Sequence, residues 1–265
     1  MLSKRIFSSL ILIIITILSL QIRWLLAFTT TMLIIGALLE FFNMVEKKGI
    51  YIYKYFGTAV GVIIPLSIYF KFELTKGWEL LFIVVLLVTL FLLQFTRREN
   101  SGAVVGISTT LFGILYISWF FSFVVKINFL QYGSGILASL ILITKTGDIG
   151  AFLVGTKWGK HALIPRISPK KSIEGTLGCL IFSTLTGMAS HIFLPFFSYL
   201  HLAGLGCSLG IIGQFGDLSE SLIKRDCQVK DAGNIFPGLG GILDIIDSLL
   251  FTAPALYFYM SIVLK

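Results

Sequence analysis

Between Ser221 and Asp247 the chain gathers the residue types that phosphate chemistry needs: the cations Lys224, Arg225 and Lys230, the carboxylates Asp231, Asp244 and Asp247, and a Pro-Gly-Leu-Gly-Gly turn at 237–241. Carboxylate oxygens are hard donors suited to Mg2+, lysines neutralise phosphate charge, and glycines let backbone N–H groups approach an anion. This is equipment for phosphoryl or nucleotidyl transfer. Just upstream, Asp217 and Glu220 stand three apart and share one face if the segment is helical, and Asp244 and Asp247 repeat the spacing. Two such faces converging at the cytoplasmic boundary of a membrane offer Asp217, Glu220, Asp244 and Asp247 as ligands for one or two divalent ions. The plainer alternative is that these acids only pair with the neighbouring Lys and Arg at the membrane surface.

A second cluster, Ser-Pro-Lys-Lys-Ser-Ile-Glu-Gly at 168–175, reads as a helix start. Ser168 and Pro169 open it, Lys170 and Lys171 sit at its positive end, and Glu174 lies on the same turn. Such an end favours a phosphate contact, in competition with an ordinary positive loop. Other patterns carry less. Gly150 and Gly155 have phosphate-loop spacing, but Thr156 precedes Lys157, the reverse of the order such a loop requires. Gly204, Gly206 and Gly210 follow no strand-helix-strand pattern and read as helix-packing positions. His161, His191 and His201 lack metal-ligand spacing, and Cys179, Cys207 and Cys227 form no CxxC pair, which argues against a zinc site or a disulfide framework.

The elements that hold these residues must be apolar. Hydrophobic residues make up 56% of the 265-residue chain and charged ones 13%, against roughly 25% charged in a soluble domain, so the polar surface of a water-facing globule is missing. Spans of about 20 residues are predicted at 6–21, 24–43, 55–71, 78–95, 104–125, 130–154, 174–194, 199–220 and 241–264. This is an all-α polytopic membrane protein with about nine transmembrane helices. Lys4, Arg5 and the apolar run after them outline a signal peptide, but no small-residue cleavage site follows, so the segment is read as a retained span. With the N-terminus cytoplasmic, 15 of the 21 Lys and Arg fall inside and 5 outside, and Lys145 lies within a span. The net charge of +8 then reflects topology and anionic phosphate ligands, not nucleic acid.

Character changes along the chain. Residues 1–100 hold 5 of the 26 glycines and keep Glu40, Glu46 and Glu73 at span ends or in loops. The stretch 147–241 holds 16 glycines, and Asp148, Glu174, Asp217, Glu220, Asp244 and Asp247 lie in or beside apolar segments. Ionisable groups at membrane depth cost several kcal/mol unless paired or hydrated, so they mark function. The chain is therefore read as one integral membrane domain with a scaffold half, 1–140, and a catalytic half, 141–265.

Ser-Leu-Ile-Lys-Arg at 221–225, Lys-Asp at 230 and 231, the Pro-Gly-x-Gly-Gly turn and Asp-x-x-Asp at 244–247 together resemble the C-terminal signature of phosphatidate cytidylyltransferases, the CDP-diacylglycerol synthases. Asp-Ile-Gly-Ala-Phe at 148–152, the 168–175 cluster and Gly-Asp-Leu-Ser-Glu-Ser at 216–221 extend the resemblance in matching order over about the last 120 residues. The resemblance implies transfer of a cytidylyl group from CTP to phosphatidate, giving CDP-diacylglycerol and pyrophosphate. With the Lys and Arg split, the expected location is the inner, cytoplasmic membrane with the active site facing the cytoplasm. Catalytic roles fall to Asp217, Asp244, Lys224, Lys230 and Asp231, and substrate contacts to Lys170, Lys171, Ser168, Glu174, Arg225 and Asp148. Mg2+ with a second metal ion, surrounding membrane lipids and a homodimer complete the expectation.

Leu239 and Ile245 stand where that family has His and Arg, and Phe152, Ser172 and Ile173 where Tyr, Thr and Trp are usual. Because the rest of the charged set is retained, the missing His and Arg read as supporting groups lost together. Two rival functions are a CTP-dependent polyprenol kinase, whose hydroxyl acceptor needs deprotonation, and a secondary transporter with an intramembrane carboxylate relay, which predicts acids at mid-membrane in paired halves.

Overall fold

Ten α-helices carry most of the chain in the computed structural model, which describes residues 2–72, 77–236 and 240–264. Each predicted apolar segment contains a helix. α1 (Leu2–Gln21) and α2 (Arg23–Lys47) are separated by Ile22, whose extended backbone interrupts the helical run. α3 (Lys54–Tyr69) carries Pro65 within it, and α4 (Trp78–Phe95) follows. The predicted segment 104–125 is one rod in three parts: α5 (Ala103–Gly113), a π-helical stretch Ile114–Trp119, and α6 (Phe120–Asn128). α7 (Gly133–Trp158), α8 (Ile173–Ala189), α9 (Tyr199–Asp226) and α10 (Ile242–Val263) complete the set. Leu239 and its neighbours at 237 and 238 lie outside the described residues.

Five of these rods, α2, α4, α5 through α6, α7 and α10, are long and apolar enough to cross a bilayer. α9 has the length, 28 residues, but Asp217, Glu220, Lys224, Arg225, Asp226 and its glycines lower its hydropathy. α4 shows the membrane character most plainly, with Leu80, Val84, Val85, Val88, Leu92 and Phe95 all exposed. A continuous aliphatic face of this kind suits acyl chains and not water. The protein is an all-α integral membrane protein.

The main core forms where α2, α6, α7, α9 and α10 meet, around Leu38, Phe41, Phe42, Leu140, Ile143, Leu243, Ile246 and Leu250. A smaller core joins α3, α4 and α5 through Val60, Ile64, Leu86, Leu90 and Ile107. In the second half, backbones approach closely. A methyl group at Gly150 would lie 2.7 Å from the Gly178 carbonyl oxygen, one at Gly187 2.4 Å from that of Leu202, and one at Gly216 2.6 Å from that of Asp247. α7, α8, α9 and α10 thus touch in succession, as small residues permit between membrane helices. The last contact sets Asp217 of α9 beside Asp247 of α10. Gly206 and Gly210 also pack as predicted, both against Ser183, whereas Gly204 faces open space.

The 168–175 cluster differs from the predicted helix start. Ser168–Ser172 is a strand, β2, paired antiparallel with β1 (Ala162–Ile164), and the helix begins at Ile173. Two local effects move the start. The residue before a proline avoids the helical region, which keeps Ser168 extended. Ser172 then caps α8, its Oγ accepting the Gly175 N–H at 3.0 Å. Lys170 and Lys171 accordingly alternate across a strand and do not lie on the first helical turn.

Candidate active site

The predicted i, i+3 pair on α9 and the second acid of α10 come together. One carboxylate oxygen from each of Asp217, Glu220 and Asp247 lies within 4.8 Å of the others. Glu220 is fully buried and Asp247 nearly so. Neither Glu220 oxygen accepts a well-formed hydrogen bond among the described residues, although the Lys224 ammonium lies against Oε2. Asp247 Oδ1 accepts the Ser248 N–H at 2.6 Å, and Asp217 Oδ2 meets the Lys171 ammonium at 2.7 Å. Buried carboxylates left short of partners are costly, and three hard oxygens converging in one place are a donor set that fits Mg2+. The residues present therefore fit the divalent ion expected from the sequence.

Asp244 takes a different position. Its Oδ1 accepts from Lys224 Nζ at 2.6 Å, and its Oδ2 accepts the N–H groups of Gly241 at 2.7 Å and Ala232 at 3.0 Å. It lies outside the three-carboxylate group because both oxygens are committed to the entry of α10 and to Lys224. Lys224 in turn sits between Asp244 and Glu220. On α7, Asp148 Oδ2 accepts from Lys145 Nζ at 3.2 Å and from Ser248 Oγ at 3.3 Å, so a fourth acid faces α10.

The model of the cytidylyltransferase family matches residues 3–263. The chain belongs to that family. It is similar to the phosphatidate cytidylyltransferase of Bacillus subtilis, 37% identical over 187 residues that cover 69% of this chain and 67% of the relative. The protein of the same name from Synechocystis is 30% identical over 270 residues, covering 91% and 90%. That of Staphylococcus aureus is 45% identical over 122 residues, 46% of each chain. As a family member the protein is a nucleotidyltransferase, which excludes the carboxylate-relay transporter.

In this cytidylyltransferase Ser168, Lys170 and Lys171 lie on the β2 strand of the hairpin, which touches α7, α8 and α9, and Lys230 and Asp231 lie in the α9–α10 connection. Glu174 tethers the hairpin: its Oε1 meets His161 Nδ1 at 2.6 Å and its Oε2 accepts the N–H groups of Lys160 and His161 at 3.1 and 3.2 Å. The His161 contact foremost, then the backbone N–H groups, hold this carboxyl far below the usual range, at about 2. Arg225 Nε donates to the Ile167 carbonyl at 3.2 Å and joins the end of α9 to the hairpin. Lys171 enters the acidic centre, whereas Lys170, Lys230 and Asp231 are exposed and Ser168 is half-buried in β2.

Three further residues belong to the site's surroundings. Glu40 of α2 is 5% exposed and accepts the N–H groups of Ile242 and Leu243 at 3.0 and 2.9 Å. Lys145 bridges α7 and α10. Tyr116, in the π-helical stretch, is buried with no hydrogen-bond partner for its hydroxyl among the described residues. Glu40 and Lys145 carry a sequence signal, an ionisable residue within an apolar run. A tyrosine in such a run carries none.

Proposed function

We propose that the protein transfers a cytidylyl group from CTP to phosphatidate, giving CDP-diacylglycerol and pyrophosphate. The observation that carries this reading is the Asp217–Glu220–Asp247 group, its last two members buried, with Lys171 and Lys224 against it, in a chain of the cytidylyltransferase family. A phosphate oxygen of phosphatidate attacks the α-phosphorus of CTP, the bond from that phosphorus to the bridging oxygen breaks, and pyrophosphate leaves. A phosphate monoester is already anionic near neutral pH, so the site needs no strong general base.

Asp217, Glu220 and Asp247 would hold Mg2+, which would supply charge stabilisation to the reacting phosphates. Lys171 and Lys224 neutralise the triphosphate and the leaving pyrophosphate. Asp244 keeps Lys224 in place, and its Oδ1 would be open to a second ion only without that contact. Lys170, Lys230, Asp231, Ser168 and Arg225 contact the nucleotide from the hairpin and the α9–α10 connection, Glu174 holds the hairpin for them, and Asp148 orients the lipid phosphate.

Nine spans with the N-terminus inside and the C-terminus outside, in the cytoplasmic membrane, direct this face to the cytoplasm where CTP is found. The uneven Lys and Arg distribution favours that topology. The catalytic half is 141–265, the half before it is scaffold, and two copies associate as a homodimer. The test is incubation of purified protein with labelled CTP, phosphatidate and Mg2+ followed by lipid analysis. Label appearing in CDP-diacylglycerol upholds the reading, and a phosphorylated polyprenol as the sole product with a polyprenol acceptor present overturns it.

A further inference from the structure

Lys145 stands one helical turn before Asp148 on α7, and its ammonium gathers acceptors from two helices. It donates to Asp148 Oδ2 at 3.2 Å, to the Ile245 carbonyl oxygen at 2.9 Å and to Ser248 Oγ at 3.2 Å. Ser248 Oγ closes the group by donating to Asp148 Oδ2. An ammonium in an apolar helix is costly without such partners. The Ile245 carbonyl is the informative one. A helical carbonyl already accepts one bond along its own helix, so a second bond from Lys145 uses its spare lone pair and ties the first turn of α10 to α7.

That residue is also the place where the family's pattern carries Arg and this chain carries Ile245. Positions 245 and 248 lie three apart on α10 and share a face, the face from which Ser248 reaches Asp148. A guanidinium at 245 would approach Asp148 from α10, as the Lys145 ammonium approaches it from α7. We propose that Lys145 is a positioning residue that supplies from α7 the positive charge the family's pattern places at 245. Through it Asp148 and the turn of α10 bearing Asp247 are fixed beside Asp217. The inference rests on the cytidylyltransferase reading of the site. Asp148 Oδ2 already accepts from Lys145 and Ser248, so a second cation at 245 competes with Lys145 for the same oxygen and leaves an ammonium or guanidinium short of acceptors in an apolar helix.

The test compares Lys145→Met, Ile245→Arg and the double variant with wild type, all purified in detergent, by CDP-diacylglycerol formation and thermal unfolding. Each single change lowers kcat about tenfold or more, as misplaced reacting groups do, with little change in the KM for CTP. The double variant recovers to within about threefold of wild type, because the two positions are coupled. Loss of packing at position 145 cannot produce that recovery. A double variant no better than the poorer single change, or Lys145→Met at wild-type turnover, overturns the proposal. If wild type forms no CDP-diacylglycerol, the assigned reaction fails, and unfolding alone judges the charge exchange. Recovery of the Lys145→Met midpoint in the double variant then upholds the exchange, and additive loss refutes it.

Discussion

Glu40 and Leu243 are 203 positions apart in the chain and joined by a 2.9 Å hydrogen bond from the Leu243 N–H to Glu40 Oε2. With Oε1 on the Ile242 N–H, one buried carboxylate from α2 satisfies two of the free donors at the start of α10. α10 carries Asp244 and Asp247, so a carboxylate from α2 fixes the start of the helix that bears them. Glu40→Ala is expected to cost about 2–3 kcal/mol of stability, the scale of charge-assisted bonds, and to lower turnover with it. Glu40→Gln repairs little, because its NH2 group faces an N–H donor. Thermal unfolding in detergent beside turnover checks both, and wild-type values for Glu40→Ala would remove this role.

Asp217 and Asp244 separate the proposed metal centre from the entry of α10. Asp217→Asn removes a charged ligand from the three-carboxylate group and is expected to abolish most turnover across a full Mg2+ titration, with the unfolding midpoint nearly unchanged. Asp244→Asn keeps a carbonyl oxygen for one contact but weakens the hold on Lys224 and on the Gly241 and Ala232 N–H groups. It is expected to lower both turnover and the unfolding midpoint. Equal midpoint losses in the two variants would mean that they share one structural task.

The positions of the helices were legible because the bilayer demands long apolar runs, and the spacing of Asp217 and Glu220 placed them on one face. What escaped the sequence depends on contacts between distant segments. Nothing near Glu40 announces that Ile242 and Leu243 lie against it. Asp244 and Asp247 look equivalent by spacing, but one meets Lys224 and two backbone N–H groups while the other meets α9. Lys170 and Lys171 read as a helix start because Ser168 and Pro169 are good openers, yet pairing with Ala162–Ile164 and the Ser172 cap decide otherwise.

Gly216 is where α9 touches α10, and a methyl group there would meet the Asp247 carbonyl oxygen at 2.6 Å. Gly216→Ala is expected to push the helices apart, cost about 1–3 kcal/mol as overpacking does, and reduce turnover by separating Asp217 from Asp247. Gly204→Ala on the same helix meets nothing within 4 Å and is expected to raise stability by about 0.5–1 kcal/mol through helix propensity. Unfolding midpoints of the pair provide the check. Equal effects would show that the close approach at Gly216 has no special weight.

The hairpin and the α9–α10 connection should face the compartment that holds CTP. Single cysteines placed at 170 and at 230, both exposed positions, in a chain whose three native cysteines are replaced, are expected to react with an impermeant reagent in inverted vesicles and not in intact cells. Reaction from the outside would reverse the topology and the mechanism with it.

Glu174 makes the hairpin sensitive to acid. Its carboxyl is held at about 2, against an ordinary 4.5, by His161 and the backbone N–H groups. A carboxyl lowered on folding lends stability that is complete above pH 4.5 and is lost as pH falls toward 2, since protonation then favours the untethered form. Amide exchange at Lys160 and His161, corrected for intrinsic pH dependence, is therefore expected to lose protection through that window while the buried helix amides stay protected. Glu174→Gln should show the unprotected hairpin at neutral pH, with weaker CTP binding because Lys171 rides on the same strand. Full protection of both amides in Glu174→Gln would mean that β1 and β2 hold together without this tether and that the pH effect has another source.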